Sequence, residues 1–399
     1  MSGALITSSV GILAVLLGVA TFWFSIERHS SWKIFRFLPP LVLVYFTPIL
    51  LTNLYVIPTS APLYLGLAQY LLPALIVLLL VNIDLPKSVR ILGKGFFLLM
   101  IATGGVMAGA VVSYTIVHPW LAGDSWKGFG ALAGSWIGGT GNMAAVAEML
   151  GTRPEQFGLV VMADGLLFAF WLPVLLGSRN FADRFNAWAR VPASRLAALE
   201  ESTSASEDAL APAPSMLDYL YLALVAVTVT WIADVLSPIV QTYVSSRAPL
   251  VGDAVTVQAW RILLVTTIAL VISVLPGVRL RGANEIASVL IYVYAASIGA
   301  RAVFTNLAEA PVFLLGAAIW ILIHGIICVI GARILRVDLQ TAAIASAANI
   351  GGVASAPIVA AHLRAALVPV SILMAIVCYS VANYLAFFTA HLARAAAGQ

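Results

Sequence analysis

Two glycine-rich segments hold the residues best suited to chemistry. The first reads Gly-Ser-Trp-Ile-Gly-Gly-Thr-Gly-Asn-Met-Ala-Ala-Val-Ala-Glu over 134–148; the second reads Ser-Ala-Ala-Asn-Ile-Gly-Gly-Val-Ala-Ser-Ala-Pro over 346–357. Paired glycines permit positive φ and close backbone approach. A helix broken there exposes N–H groups on one side of the break and C=O groups on the other. Exposed N-termini attract anionic groups and exposed carbonyls attract Na⁺. Gly138, Gly139, Thr140, Gly141 and Asn142 could cradle a small solute together with Asn349, Gly351, Gly352 and Ser355. Thr140, Asn142, Asn349 and Ser355 would add small neutral ligands for Na⁺ or a carboxylate. Close helix packing explains a single glycine pair well, because small residues line helix interfaces in membranes. Two pairs at equivalent places, each with an Asn nearby, favour binding. The string Gly-Gly-Thr-Gly-Asn lacks the Lys and the strand context of a P-loop, so it is not read as a nucleotide site.

Ionisable residues at depth come next. Asp164 lies inside the apolar run 157–178, where a carboxylate is costly and marks function by default. It could bind Na⁺ as the metal-ligating carboxylate or carry a proton; the bland reading is a hydrogen bond to a neighbouring helix. Glu148 closes the first glycine-rich segment and is a second cation-coupling candidate. Arg301 ends the run 283–304 and could pair a substrate carboxylate or snorkel to headgroups. Asp234 and Glu285 sit near run ends and read as interface residues. His324 reads as a neutral packed histidine, and Cys328 and Cys378 as buried thiols. Enzyme chemistry is not expected. The pairs Gly123-Asp124 and Gly252-Asp253 lie in loops and lack the Gly-x-Gly-Asp context of an intramembrane aspartyl protease. Gly134-Ser135-Trp136 does not fit a membrane serine protease, and no His-Glu-x-x-His occurs. No cofactor is expected beyond Na⁺ or H⁺ as coupling ion.

The elements that position these residues are membrane helices. Of 399 residues, 62% are hydrophobic and 10% charged; a soluble domain carries roughly 25% charged residues. Apolar runs lie at roughly 4–26, 37–56, 64–83, 95–118, 128–150 and 157–178, then at 216–243, 257–276, 283–304, 311–332, 338–361 and 367–390. Most are long enough to span about 30 Å of hydrocarbon. The run 4–26 is too long for a signal-peptide core and reads as the first membrane helix. A shift of 213 carries Gly138-Gly139 onto Gly351-Gly352 and run 157–178 onto 370–391. Paired halves with equivalent breaks are the sequence mark of secondary-transporter folds. The expected division is a first repeat over 1–178, a linker over 179–215 and a second repeat over 216–399. Within the linker, 179–192 has the pattern of an amphipathic interfacial helix, and 199–215 that of a flexible polar tether.

Charge decides the orientation. The net charge of +4 suggests topogenic loops and not a nucleic-acid partner, because most basic residues lie between apolar runs. Twelve full crossings would set the Arg-bearing linker on the same side as an N-terminus free of Lys and Arg up to residue 27. If 128–150 and 338–361 are instead re-entrant hairpins, each half crosses five times and the halves are inverted. With the N-terminus outside, fifteen of the 21 Lys and Arg then fall in inner loops, at 28–36, 87–94, 179–195, 279–281, 333–336 and 364. Re-entrant backbone is tolerated only beside protein or a water-filled cavity, so a cavity is expected at the tips.

The segments GSWIGGTGNMAAVAEML and SAANIGGVASAPIVAA, within this twelve-run profile, resemble the uncharacterised YjcL-like family of bacterial membrane proteins. That family is similar to the larger group of glutamate:sodium and 2-hydroxycarboxylate:sodium symporters and cation:proton antiporters. The resemblance implies inverted repeats, glycine-broken segments and a transport unit moving against a dimerised scaffold, hence a homodimer. The second break departs from the first: Asn349 precedes its glycines whereas Asn142 follows its pair. The two sites are therefore chemically unequal, and the substrate does not carry over. The expected fold is an all-α membrane protein with about ten transmembrane helices, two re-entrant or broken segments and two inverted-topology repeats. The expected function is secondary active transport of a small organic solute coupled to Na⁺ or H⁺, in a bacterial inner membrane with the linker cytoplasmic. The alternatives are a cation:proton antiporter and a non-transporting receptor or scaffold.

Overall fold

In a lipid phase every backbone N–H and C=O must be satisfied internally, and helices do this within one segment. The computed structural model describes residues 3–30, 35, 40–192, 213–249, 252, 255–275, 280–302, 307–364 and 367–399. Every regular element among the described residues is helical. The first repeat holds α1 (Ser9–His29), α2 (Pro40–Asn53), α3 (Pro62–Leu80), α4 (Leu85–Leu92), α5 (Lys94–Val117), α6 (Trp126–Gly138), α7 (Thr140–Leu150) and α8 (Pro154–Gly177). A short α9 (Ala182–Ala189) follows. The second repeat holds α10 (Met216–Arg247), α11 (Val257–Ser273), α12 (Ala283–Arg301), α13 (Ala310–Leu335), α14 (Leu339–Ile350), α15 (Gly352–Leu363) and α16 (Val368–Ala396). Eight of these are long and apolar enough to cross a membrane, and α2 and α11 are shorter apolar helices. Together they match the ten crossings expected.

Local sequence explains the boundaries. Ser8 caps α1 by accepting from Gly11 N–H, and Thr256 caps α11 by accepting from Ala259 N–H. Ser215, expected inside the flexible tether, instead opens α10. Its hydroxyl accepts from Asp218 N–H and Asp218 accepts from Ser215 N–H, a capping box. Residues 199–212 of the expected tether lie outside the described residues, as do Lys33, Arg36, Arg195 and Arg279. The helix expected over 179–192 is present but shorter, ending at Ala189. Arg333 stacks on its Trp188 at 5.1 Å, and its Asn186 accepts from Leu339 N–H at 3.1 Å.

The repeat is visible in the helix edges. α6 begins at Trp126 and α14 at Leu339; α7 begins at Thr140 and α15 at Gly352; α8 begins at Pro154 and α16 at Val368. Packing joins corresponding groups of helices from the two halves and does not follow the chain halves. Helices α1–α3 pack with α10–α12, and α5–α8 pack with α13–α16. Hydrogen bonds cross between these two bundles. Tyr45 on α2 donates to Pro154 O at 2.5 Å, and Asn383 on α16 donates to Thr266 on α11 at 2.9 Å. Inside the first bundle an ion pair joins Asp234 to Arg261 at 2.5 Å. The partner offsets the cost of a charge in a membrane span. Thus Asp234 is tied to Arg261 across α10 and α11.

The course of the glycine-rich segments follows from contacts at their ends. Helices α5 and α13 run antiparallel, since a Cβ on Gly105 would meet Ile327 and one on Gly316 would meet Val117. Thr152 at the exit of α6–α7 donates to Lys127 O at its entrance (3.4 Å), and Arg153 pairs with Asp124 at 2.9 Å. The first hairpin therefore enters and leaves at the end where α5 finishes. The second starts where α13 finishes, and α16 leaves it beside the start of α5, where Gly95 faces Met374. That is the opposite end of the bundle. Both segments are re-entrant hairpins, and equivalent helices point in opposite directions.

Candidate functional site

The two hairpin tips meet halfway along α16. Helix α6 runs antiparallel to α16, with Gly130 against Ala390 and Gly138 against Ala382. Only small residues at those positions allow such close approach. At the tip, Gly139 adopts φ 98°, ψ −177°, a conformation essentially restricted to glycine. Gly352 of the second tip has φ +62°, and a Cβ built on it would lie 3.4 Å from Tyr379 Cε2 and 3.8 Å from Gly139 Cα. The breaks therefore touch each other. α7 and α15 both begin at this crossing, and α6 and α14 both end there. Two sets of N-terminal amides and two sets of C-terminal carbonyls converge on one place.

Side chains around the crossing differ in how far they are satisfied. Asn142 is 3% exposed, its side chain folds back against Gly138, and its amide nitrogen is buried without a hydrogen-bond partner. Leaving a buried donor unpaired costs about 1–3 kcal/mol. Asp164, on α8, accepts from Ser135 Oγ at 2.9 Å and Trp136 Nε1 at 3.0 Å. Both donors belong to the last turns of α6, so the carboxylate is tied directly to the first tip. Asp164 is half-buried, as are Thr140, Phe168, Gly351, Ser355 and Tyr379. Tyr379 lies within electrostatic reach of Asp164 and Tyr292. Its hydroxyl would stand 2.7 Å from a Cβ on Gly139.

Not all of the expected residues gather here. Gly138, Gly139, Thr140, Gly141, Asn142, Gly351 and Gly352 do. Gly141 faces Leu79 and Ile291 of the other bundle, which places the first tip on the seam between the bundles. The Asn349 side chain turns away: it accepts from Thr103 at 2.9 Å and donates to Ala345 O at 3.1 Å. Ser355 donates to Gly351 O within its own helix at 3.0 Å. Glu148 accepts from Tyr294 at 3.0 Å near the outer end of α7, and Arg301 is the last residue of α12. Both lie well away from the tips. The cavity at the start of α6 and the one between α8 and α13 lie away from the tips, where Ala382 and Tyr379 of α16 and Leu79 of α3 stand beside the glycines.

Several site residues carry little sequence signal. Ser135 and Trp136 fall inside the first segment, yet nothing in the order of residues indicates that they bond Asp164. Tyr379 is one tyrosine in a long apolar run. A second polar relay lies beside the second hairpin. Trp171 Nε1 donates to Ser346 Oγ at 3.0 Å, Ser346 Oγ and His324 Nε2 are 2.9 Å apart, and His324 Nδ1 faces Ala102 O at 3.0 Å. A carbonyl can only accept, so Nδ1 carries a proton, and Ser346 and Ala102 together occupy both nitrogens of a fully buried ring.

The hairpins, the two-bundle packing and the inverted repeat define a multi-spanning α-helical membrane protein. The family described as a protein of unknown function (DUF819) matches residues 11–396, and the chain belongs to that family. The chain is also 24% identical over 355 residues to an uncharacterised membrane protein, YjcL, of Bacillus subtilis (strain 168). That alignment covers 84% of this chain and 85% of the relative.

Proposed function

We propose that the protein is a secondary active transporter of a small organic solute, coupled to Na⁺ or H⁺. The observation that carries this reading is the unpartnered Asn142 amide, buried at a crossing where two helix N-termini converge. A bound acceptor, such as a carboxylate or carbonyl oxygen, would satisfy it. Asp164 would hold the coupling ion, since it is tied to the same tip through Ser135 and Trp136. Alternating access would come from the hairpin bundle moving against the other, breaking contacts such as Tyr294–Glu148 and Asn383–Thr266. The N-terminus would lie outside and the linker inside, and a homodimer would pair the bundle that carries α10. Cation:proton antiport is the second reading, favoured by Asp164 as a membrane carboxylate. A non-transporting receptor or scaffold would show no flux.

A thermal-shift screen of the purified protein against amino acids, dicarboxylates and small peptides, with and without Na⁺, tests the reading. A solute that raises the melting temperature should also be taken up by proteoliposomes. Asn142→Ala should fold and lose both responses, with binding weakened about tenfold or more for a lost hydrogen bond to a charged ligand. Wild-type uptake by that variant would undo the site assignment.

A further inference from the structure

A second polar site lies where the first hairpin enters the membrane. A cavity of about 420 Å³ opens there, lined by the start of α6, the end of α7, the cap of α11 and the end of α16. Both bundles contribute to it, through Thr256 on one side and Trp126, Lys127, His391 and Arg394 on the other. The cationic groups surround the Trp126 indole. The Arg394 guanidinium lies 5.1 Å and the Lys127 ammonium 5.8 Å from the centre of its ring, and the His391 ring is at 5.3 Å.

Two basic side chains lining this cavity stand outside any ion pair, while its acidic side chain is in one. Asp124, the acid on its rim, is held by Arg153 at 2.9 Å and Gln156 at 2.8 Å. Glu309 stands nearby, receiving Ala122 N–H at 3.4 Å and the Ser125 hydroxyl at 3.5 Å. Lys127 and Arg394 have no carboxylate partner among the described residues; the Lys127 ammonium reaches Gly151 O, at 3.4 Å. His391 Nε2 is buried with no hydrogen-bond partner. An ammonium, a guanidinium and an unpaired imidazole nitrogen around one cavity call for a ligand with several anionic oxygens.

We propose that this cavity binds a phosphate-type oxyanion at the seam between the two bundles. The position at helix ends, with Trp126 at its centre, suits a lipid phosphate in the headgroup layer, and the same donors suit free phosphate. The proposal does not depend on transport at the hairpin tips.

The test is melting of the full chain in neutral detergent, titrated with inorganic phosphate at matched ionic strength and, separately, with phosphatidylglycerol. A rise with phosphate identifies a free anion; a rise with phosphatidylglycerol alone identifies a lipid headgroup. Either should need about tenfold or more ligand in the double variant Lys127→Gln/Arg394→Gln. His391→Phe keeps the ring packed on Trp126 and Phe387 but lacks Nε2. It should weaken the response while leaving the melting temperature of the unliganded protein unchanged. A rise with neither ligand, or one unaltered in the double variant and in His391→Phe, would overturn the proposal.

Discussion

Gly139→Ala should lower the melting temperature by several degrees and abolish any solute response. Two costs add. The backbone at φ 98°, ψ −177° strains any side chain, by about 1–3 kcal/mol. The new methyl would also stand 2.7 Å from the Tyr379 hydroxyl and 3.1 Å from its Cζ, an overpacking worth about 1–3 kcal/mol in a dense interior. The tip cannot withdraw, because Gly138 is already pressed against Ala382. Gly139→Ala/Tyr379→Phe removes the closest contact but not the backbone strain, so it should recover only part of the loss. Gly104→Ala is the control. It sits within α5 with nothing within 4 Å of its Cβ position, and alanine there should be neutral or stabilising by up to about 1 kcal/mol. A Gly139→Ala protein that melts with the wild type would show that the break is not built as described.

The second large effect concerns Asp164 and separates its structural role from its charge. Asp164→Ala removes the acceptor for Ser135 Oγ and Trp136 Nε1. Two donors left unpaired inside a bundle should cost about 1–3 kcal/mol each, and the variant should melt well below the wild type. Asp164→Asn keeps a carbonyl oxygen where Oδ1 stands, so both donors retain a partner and stability should stay near that of the wild type. The charge is lost, however, and with it the Na⁺ or H⁺ dependence of solute binding. Melting curves of the three proteins, with and without Na⁺ and at two pH values, distinguish these outcomes. Undiminished ion dependence in Asp164→Asn would remove this residue from the coupling role.

Much of the architecture can be read from the chain because membrane helices obey simple rules. Length and hydropathy mark the crossings, and the glycine pairs at 138–139 and 351–352 mark the breaks. The placement of Arg and Lys separates hairpins from crossings, because a hairpin changes the side on which every later loop falls. The chemistry is less legible. Asn142 follows its glycine pair and Asn349 precedes its own, which marks the sites as unequal but not in what way: one amide is unpartnered at the crossing and the other is bonded to Thr103. That difference comes from what α5 presents to the second hairpin, a contact between residues 246 apart in sequence. Arg301 and Glu148 are plausible by charge alone, but both lie near the C-terminal ends of their helices, away from the tips. α4 leaves no mark in the apolar pattern, because Leu85–Leu92 is too short and too charged for an apolar run. Its start is set by Asp84, whose side chain accepts from Lys87 N–H, with Pro86 at the second helical position. Tyr379 is adjacent to both tips only because α16 happens to pass them at mid-height.

The inverted hairpins are what links the fold to alternating access, and their sidedness can be measured directly. Cysteine would be introduced singly at Arg153, which follows the first hairpin, and at Arg364, which follows the second, and then labelled in intact cells with a membrane-impermeant thiol reagent. Cys328 and Cys378 are buried and give no background. Labelling at position 153 from outside, and at position 364 only after the membrane is opened, is the expected result. Labelling of both positions from the same side would contradict the inverted arrangement and the transport reading built on it.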